Sequence, residues 1–358
     1  MTIAEVRTHR LVAPLHTPFR TALRVSSSVE TLLVEIVHAD GEHGFGEAPQ
    51  VWRVTGESMA GADAVIDTML RPLLLGRDPD ELTGLLREVR AAVPGNHNAK
   101  GAVDVALHDL AARRLGIPLV RLLGGTSLSV PTDVTLSAGS AESLATAARQ
   151  RTGEGFSVLK LKVGTGDAAD DVARVRAVRD AVGPGVTIRL DANQGWNAKS
   201  AVRAIRTMED EGLGIELVEQ PVPAPDLAGL AWVTDRVDTP VLADESVFGV
   251  ADLLEVIRRR AADLVNVKLA KCGGLAPART MLELAAAHQV GTLVGSMMEG
   301  PVGVAAAASL VAAYRPTAVS DLDAAWWLAT PPVRGSVRYA AGTVTLPDAP
   351  GLGVELPE

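Results

Sequence analysis

Cysteine is almost absent from this sequence, because Cys272 is the only one in 358 residues. A lone cysteine cannot form a disulfide within the chain, which excludes the small secreted proteins that disulfides hold together. The first residues also lack the basic and then apolar pattern of a signal peptide. We therefore expect a cytoplasmic protein.

Positive charge is in deficit, since 34 Lys and Arg residues stand against 43 Asp and Glu residues and give a formal net charge of -9. With no basic run in the chain, this balance argues against a nucleic-acid partner. Long apolar runs are also missing. The longest, over residues 302–314, is too short to span a bilayer and predicts a buried, Ala-rich helix. We expect neither nucleic acid nor a membrane as a partner.

The first 120 residues or so have the pattern of a small α+β domain. Alternating apolar residues predict strands over 3–11 and 30–38, joined by a polar loop over 16–28 that contains Arg20 and Arg24. Helical patterns follow over 57–92, with breaks predicted at Pro72 and around residues 78–79. A further helix is predicted over 99–115.

From residue 130 onward, strand-like and helix-like stretches alternate. Strands are predicted over 132–137, 157–163, 187–191, 216–219, 241–244, 264–268, 291–295 and 318–321. Helices are predicted over 141–152, 168–182, 198–211, 227–234, 250–260, 277–289 and 302–314. Eight strands with seven intervening helices predict a parallel TIM-type (β/α)7β barrel. An open doubly wound sheet is the alternative, but residues 164–166 lack the spacing of a phosphate-binding glycine loop.

The predicted domain organisation follows from this change of pattern. We assign residues 1–125 to an α+β capping domain and residues 126–325 to the barrel. Residues 326–358 form a C-terminal segment that returns to the capping domain, with a strand predicted over 338–346 and a turn at Gly342.

The second predicted barrel strand carries two lysines on one face, because Lys160 and Lys162 are two residues apart. A solvated edge strand would explain this pair. The alternative is a site that requires cations, because an unpaired buried charge is costly.

Carboxylates end three successive predicted strands: Asp191, Glu219 and Asp244. Each alone could cap a helix. Together, at the carboxyl edge of a barrel, they would repel one another unless a cation neutralised them. Oxygen ligands without His or Cys favour Mg²⁺ over zinc. We therefore predict one Mg²⁺ per subunit.

Lys162 and Lys268 would stand on either side of this metal site. One lysine could remove a proton from a bound carbon acid, and the other could return it on the opposite face. The charge of Lys160 should lower the pKa of Lys162, which suits a general base. The metal would stabilise the resulting enediolate. The predicted reaction is metal-assisted proton abstraction α to a carboxylate.

The sequence resembles the enolase superfamily, in its muconate-lactonizing-enzyme branch, over nearly the whole chain. The motifs that carry the resemblance are Lys160-x-Lys162, Leu190-Asp191-Ala192-Asn193, Val218-Glu219-Gln220-Pro221, Asp244-Glu245-Ser246, Lys268, Gly44-Phe45-Gly46-Glu47-Ala48-Pro49 and the helix over residues 99–110. The resemblance implies Asp191, Glu219 and Asp244 as Mg²⁺ ligands, with Lys162 and Lys268 as the acid/base pair. None of the seven His falls at a predicted strand end, which disfavours the mandelate-racemase branch.

Asp321 and Asp323 lie on one face of the eighth predicted strand, so a second pair of anions would point into the site. A helix cap is the alternative. Two anions away from the metal call for a cation on the substrate, and the Asp-x-Asp resembles that of dipeptide epimerases, where it holds the substrate's ammonium group. N-succinylamino acid racemases and o-succinylbenzoate synthases share the lysines and the metal site, but their anionic substrates would be repelled.

Arg24 resembles the arginine of L-Ala-D/L-Glu epimerases that reaches the substrate's Glu carboxylate, although a surface arginine is the alternative. Met297 and Met298 would form an apolar wall, and Thr135 would hydrogen-bond the substrate backbone. We expect L-Ala-L-Glu or a similar dipeptide as the substrate, with hydrophobic dipeptides as an alternative.

Two further alternatives are a non-catalytic metal-binding barrel and an acid-sugar lyase. The first should have lost a lysine or a ligand, and the second lacks a candidate His. The family resemblance also implies a homo-oligomer.

Overall fold

The structure, a computed structural model, describes residues 2–21, 25–335 and 337–357. Its N-terminal part contains a three-stranded antiparallel sheet in the order β1 (Ile3–Arg20), β2 (Val25–His38) and β3 (His43–Pro49). The pairing of β1 with β2 continues from Ile3 to Arg20. The predicted loop over 16–28 is therefore wrong where the structure describes it. Phe19 in this stretch and Val29 just after it are buried in a cluster with Met298 and Trp327, a distant contact that the local polar pattern did not reveal.

Helices cover this sheet and form the rest of the cap. They are α1 (Trp52–Thr55), α2 (Met59–Val65), α3 (Arg71–Leu74), α4 (Leu82–Ala91) and α5 (His97–Arg114). The predicted break at Pro72 is wrong, because a π-helical turn (Ile66–Leu70) leads directly into α3 and Pro72 lies in its first turn, where no backbone N–H is needed. Helix α5 packs very closely on β3. A Cβ at Gly46 would lie 1.8 Å from the carbonyl oxygen of Ala102, so a larger residue cannot replace this glycine without moving the helix.

The second part of the chain is the predicted parallel barrel. After α6 (Leu119–Leu122) and β4 (Ser129–Pro131), its strands are β5 (Val134–Leu136), β6 (Val158–Lys162), β7 (Thr187–Asp191), β8 (Ile215–Glu219), β9 (Val241–Ala243), β10 (Leu264–Lys268) and β11 (Gly291–Gly295). The helices are α7 (Ala141–Gly153), α8 (Ala168–Val182), α9 (Ala198–Asp210), α10 (Leu227–Thr234), α11 (Val250–Arg259), α12 (Leu269–Cys272), α13 (Leu275–Ala287) and α14 (Pro301–Tyr314).

The barrel closes through residues that do not form a regular strand. The seven strands pair in sequence order, and two isolated parallel bridges, Gly295–Asp321 and Thr132–Ser320, join the two edges of the sheet. The eighth strand predicted over 318–321 is thus reduced to two bridged residues. The (β/α)7β architecture with its cap is confirmed, and the domain boundaries at residues 125 and 325 stay a prediction.

Helix α14 corresponds to the longest apolar run of the sequence. Its residues from Pro301 to Ala312 are buried, as predicted for an Ala-rich core helix. Throughout the described ranges, no helix is long and apolar enough to cross a membrane.

The C-terminal segment first forms a hairpin of β12 (Arg338–Ala340) and β13 (Thr343–Thr345) that pairs with β4. The chain then reaches α5 in the cap. The backbone N–H of Leu352 donates to Asp109 (2.6 Å), and Arg113 forms an ion pair with Glu355 (2.8 Å). The last described residues therefore connect the barrel back to the cap.

Two cap carboxylates hold the cap on the barrel by binding the N-termini of barrel helices. Glu47 accepts hydrogen bonds from the backbone of Gly300 (2.5 Å) and Gly303 (2.9 Å) at the start of α14. Asp104 accepts one from Leu275 (2.6 Å) at the start of α13. The first N–H groups of a helix have no intrahelical partner, so these carboxylates satisfy donors that would otherwise be buried and unpaired. The carboxyl ends of the barrel strands are thereby covered by the cap.

Candidate active site

Both lysines of β6 lie inside the barrel. Lys160 and Lys162 are buried, and β6 is an interior strand between β5 and β7. The solvated edge strand is therefore excluded. Lys160 forms a hydrogen-bonded ion pair with Asp321, and its Nζ lies 3.6 Å from Glu219 Oε2.

The environment of Lys160 favours its charged form. Burial disfavours the ammonium, but the carboxylates of Asp321 and Glu219 outweigh burial and raise the pKa of Lys160 well above its usual range. These carboxylates largely compensate the charge of Lys160. The predicted lowering of the Lys162 pKa by Lys160 stays a prediction.

The three predicted ligand carboxylates lie at the carboxyl ends of adjacent strands, and two of them contact the predicted acid/base lysines. Lys162 Nζ lies 2.5 Å from Asp191 Oδ2, and Lys268 Nζ lies 2.9 Å from Asp244 Oδ2. Glu219 Oε1 is 4.0 Å from Lys268. With Lys160, which lies 3.6 Å from Glu219, all six residues that the sequence predicts for catalysis and metal binding are thus brought together.

The charges within this cluster shift the pKa values of its members. Burial and the neighbouring Asp191 and Asp244 raise the pKa of Glu219 to about 7. Burial alone would raise the pKa of Asp244, but the ammonium groups of Lys268 and Lys271 outweigh it and lower this pKa. The pKa of Lys268 is raised, because Asp244 and Glu219 outweigh its burial. The carboxylates therefore repel one another and attract any available cation.

The donor set fits a hard divalent cation, although the side chains are not arranged around a common point. Within the described residues, no group of three or more His, Cys, Asp or Glu side chains is arranged to hold a metal ion. Lysines instead hold Asp191 and Asp244, while buried oxygens remain without a hydrogen-bond partner on Glu219, Asn193 and Glu245. Unpaired buried oxygens of this kind require a cation or donor. Their chemistry suits Mg²⁺.

Asp321 and Asp323 both face the same cavity as Lys162 and Lys268. The interpretation of Ser320 or Asp321 as a helix cap is wrong, because both residues form parallel bridges to the edges of the barrel sheet and the Asp321 carboxylate accepts from Lys160. Asp323 precedes the 3₁₀ helix Ala324–Trp327, but its side chain makes no capping hydrogen bond. Asp323 Oδ2 instead accepts from the backbone N–H of Thr135 (2.7 Å) and from the indole N–H of Trp327 (3.1 Å). Burial and the nearby Asp321 raise the pKa of Asp323.

Of the remaining predicted substrate-binding residues, Thr135, Met297 and Met298 line the cavity. Arg24 lies outside the described residues.

Several cavity residues were not among the predicted site residues. Phe19, Val51 and Val54 come from the cap and line the cavity with apolar surface. Their positions depend on docking between cap and barrel, for which the sequence carries no local signal. Glu245 also lines the cavity and could have been found from its position next to Asp244. Lys271, in α12, does not line the cavity but contacts Asp244 and could have been found from its position three residues after Lys268. Lys271 Nζ lies 2.5 Å from Asp244 Oδ1.

Comparison with known families agrees with this geometry. A family model described as enolase C-terminal domain-like matches residues 143–358. A second model, described as the N-terminal domain of mandelate racemase / muconate lactonizing enzyme, matches residues 3–124.

Individual relatives are similar along their whole length. The chain is 44% identical to the L-Ala-D/L-Glu epimerase of Bacillus subtilis (strain 168), over 99% of this chain and 97% of that protein. It is 38% identical to the hydrophobic dipeptide epimerase of Enterococcus faecalis, over 99% of both chains. The solved dipeptide epimerase of Enterococcus faecalis V583, complexed with Mg and dipeptide L-Leu-L-Tyr, superposes with a TM-score of 0.95 at 37% identity and covers 99% of this chain and 100% of that chain.

Proposed function

Since the chain belongs to the mandelate racemase/muconate lactonizing enzyme family of the enolase superfamily, we propose that it is a Mg²⁺-dependent dipeptide epimerase. It inverts the α-carbon of the substrate's C-terminal residue by a two-lysine mechanism. One observation carries the proposal. Lys162 and Lys268 stand on β6 and β10, four strands apart in the barrel, and line one cavity from opposite sides.

In the proposed reaction, the α-hydrogen of the C-terminal residue lies between these two lysines. Lys162 as a neutral amine takes the proton from one face, and Lys268 as an ammonium donates a proton to the other face. The roles are exchanged for the opposite epimer. In the structure, Asp191 and Asp244 contact the two lysines directly, which places both lysine side chains next to the proposed metal ligands.

Asp191, Glu219 and Asp244 would hold the Mg²⁺. When bound, the ion supplies positive charge that offsets the negative charge developing on the substrate's carboxylate oxygens. Glu219 Oε2, which accepts no hydrogen bond, and the raised pKa of this residue support its assignment as a ligand.

The other end of the substrate carries an ammonium group that Asp323 receives. Asp321 is already paired with Lys160 and adds negative charge beside it. This electrostatic field disfavours N-succinylamino acid racemase and o-succinylbenzoate synthase activities, because those substrates would place an anion next to two carboxylates.

The side chain of the substrate's C-terminal residue has two candidate types, acidic and hydrophobic. We propose L-Ala-D/L-Glu or a similar acidic dipeptide, with Arg24 as the partner of the side-chain carboxylate and Thr135 as a backbone contact. Phe19, Met297 and Met298 give the cavity an apolar wall. This wall supports the second candidate, an epimerase of hydrophobic dipeptides.

Proton NMR in D₂O tests the proposal. With the enzyme and Mg²⁺, L-Ala-L-Glu should lose its Glu α-proton signal while the L,D diastereomer appears. The same measurement on apolar and basic dipeptides and on N-succinylamino acids gives the specificity. Exchange on N-succinyl substrates alone would overturn the assignment of Asp321 and Asp323.

Substitution of Arg24 separates the two side-chain preferences. Arg24→Ala should lower kcat/KM for L-Ala-L-Glu by about tenfold or more, since a hydrogen bond between charged groups is lost, and should leave apolar dipeptides nearly unaffected. An unchanged rate with L-Ala-L-Glu would show that Arg24 does not bind the substrate.

A further inference from the structure

Two adjacent tryptophans follow the Asp321–Asp323 pair, and their rings pack in different directions. Trp327 is buried, and its ring centroid lies 5.1 Å from that of Phe19 in β1 of the cap. Trp326 packs on Phe156, and the guanidinium of Arg151 in α7 lies 4.4 Å from its ring centroid. Both rings also contact His16 in β1, so the two tryptophans differ in their further partners: Trp327 packs on Phe19, and Trp326 packs on Phe156 and Arg151.

The hydrogen bonds of Asp323 are concentrated on one oxygen. Both the indole N–H of Trp327 and the backbone N–H of Thr135 donate to Oδ2. No hydrogen bond from another described residue reaches Oδ1. Two donors on one oxygen fix the rotation of the carboxylate and leave the other oxygen for a ligand in the cavity.

Asp321 is not equivalent to Asp323, despite the two-residue spacing. Its carboxylate is hydrogen-bonded to Lys160, which also attracts Glu219. Asp323 contacts no lysine among the described residues. A substrate ammonium group would therefore find its strongest acceptor at Asp323 Oδ1.

We propose that Trp327 is a positioning residue that orients Asp323 for the substrate's ammonium group and ties this orientation to strand β1 of the cap. The inference rests on the proposed dipeptide substrate. Trp327 itself does not touch the reacting atoms, so its loss should weaken substrate binding more than the proton transfers. The cap and the ammonium site would then be coupled through one indole ring, with Phe19 on one side and Asp323 on the other.

The neighbouring tryptophans offer a matched pair of variants. Trp327→Phe keeps an aromatic ring but removes the N–H, and it should raise the KM for the dipeptide about tenfold with kcat within about twofold of wild type. Trp326→Phe should change KM by less than about twofold, because Trp326 donates only its backbone N–H to the carbonyl oxygen of Asp323 and this bond is kept in the variant. Equal effects of the two substitutions on KM would overturn the inference.

A double-mutant cycle tests whether Trp327 acts through Asp323. In an Asp323→Ala background, Trp327→Phe should add no further increase in KM, because the acceptor is absent. If the two substitutions instead multiplied their effects on KM, Trp327 would act on substrate binding independently of Asp323. An inactive wild type would instead refute the proposed function, which keeps the two failures distinct.

A measurement on the wild-type protein avoids any folding defect of Trp327→Phe. The chain has five tryptophans, so the indole N–H resonances can be resolved and assigned with the Trp326→Phe variant and the remaining single substitutions. Addition of the dipeptide should shift the Trp327 indole resonance and leave that of Trp326 in place. An unshifted Trp327 resonance at saturating dipeptide would contradict the inference.

Discussion

The two lysines that we propose as the acid/base pair have different surroundings. Within the described ranges, Asp191 is the one carboxylate within 4 Å of the Lys162 Nζ, whereas Lys268 contacts Asp244 and also lies 4.0 Å from Glu219. A lysine near more negative charge keeps its proton more firmly. We therefore expect the two residues to contribute unequally to the two directions of epimerisation.

Substitution of either lysine tests this mechanism. Lys162→Ala and Lys268→Ala should each lower the epimerisation rate by about 10²–10⁴-fold, because one of the two proton transfers loses its general acid or base. One variant should still exchange the α-proton of a single stereoisomer in D₂O. Lys199→Ala, on the exposed surface of α9, is the control and should keep the wild-type rate. Full two-way activity in both site variants would exclude the two-lysine mechanism.

Removal of the metal tests whether the reaction depends on Mg²⁺. Treatment with EDTA should abolish epimerisation and added Mg²⁺ should restore it, because Glu219, Asp191 and Asp244 would be left without their cation. Rates are followed by NMR as above. Activity that persists at full level in EDTA would remove Mg²⁺ from the reaction.

The residues that sequence reasoning located share a simple property. Asp191, Glu219 and Asp244 each end a strand, so their convergence follows from barrel topology alone. The ion pair between Lys160 and Asp321 could not be predicted in the same way, because it depends on side-chain conformation within the barrel.

At the level of elements, the cap is attached by carboxylates that bind helix N-termini across the interface. Asp104→Ala should lower the free energy of unfolding by about 1–3 kcal/mol, because the buried N–H of Leu275 would lose its partner. Asp226→Ala is the matched control. Asp226 also caps a helix, through Gly229 (2.8 Å), but it is exposed and lies within the barrel.

Urea titration followed by circular dichroism measures both variants. The control should lose about 1 kcal/mol or less. A loss for Asp104→Ala no larger than that of the control would mean that this contact does not contribute to cap attachment.

Element prediction succeeded where the pattern was local. Strands β7, β10 and β11 and helices α8 and α10 have the predicted bounds, because apolar periodicity defines each one within a few residues. Strands β1 and β2 extend well beyond the prediction, since their distal ends bury Phe19 and Val29 against residues some 300 positions later. Such contacts leave no trace in a short sequence window.

For the molecule as a whole, His108 should make stability depend on pH. It lies in α5, with Nδ1 2.8 Å from the backbone oxygen of Asp104 and 3.3 Å from its carboxylate. Burial disfavours the imidazolium, but Asp104 outweighs burial and raises the pKa of His108. The resulting stabilisation is fully present below the unfolded pKa of about 6.5 and is lost as pH rises through the folded pKa.

Melting temperatures measure this effect. The difference between wild type and His108→Gln should be larger at pH 5.5 than at pH 9, because the variant lacks the titrating group. Taking the difference between the two melting temperatures also cancels the contribution of Asp109. Burial raises the pKa of Asp109 to about 6, so this carboxyl titrates at acidic pH in both proteins. A constant difference across this range would mean that folding does not change the pKa of His108, and a smaller difference at pH 5.5 would mean that His108 stays neutral in the folded protein.

For the whole molecule, the sequence predicts the overall fold but not how the cap docks on the barrel. The overall fold could be predicted because the strand–helix repeat is regular along the chain. Docking of the cap could not, because it depends on Glu47 and Asp104 meeting helices about 170 to 250 residues later. The homo-oligomer and the cytoplasmic location stay predictions.

The return of the chain to α5 has a consequence for synthesis on the ribosome. Asp109 in the cap is buried and accepts hydrogen bonds from Phe45, which is made earlier, and from Leu352, 243 residues later. During translation the cap can form its sheet and helices, but this carboxylate stays incompletely paired until the last part of the chain emerges. The cap therefore cannot reach its final structure co-translationally ahead of the barrel, and a nascent chain stalled before residue 352 should expose this part of α5 to chaperones and proteases.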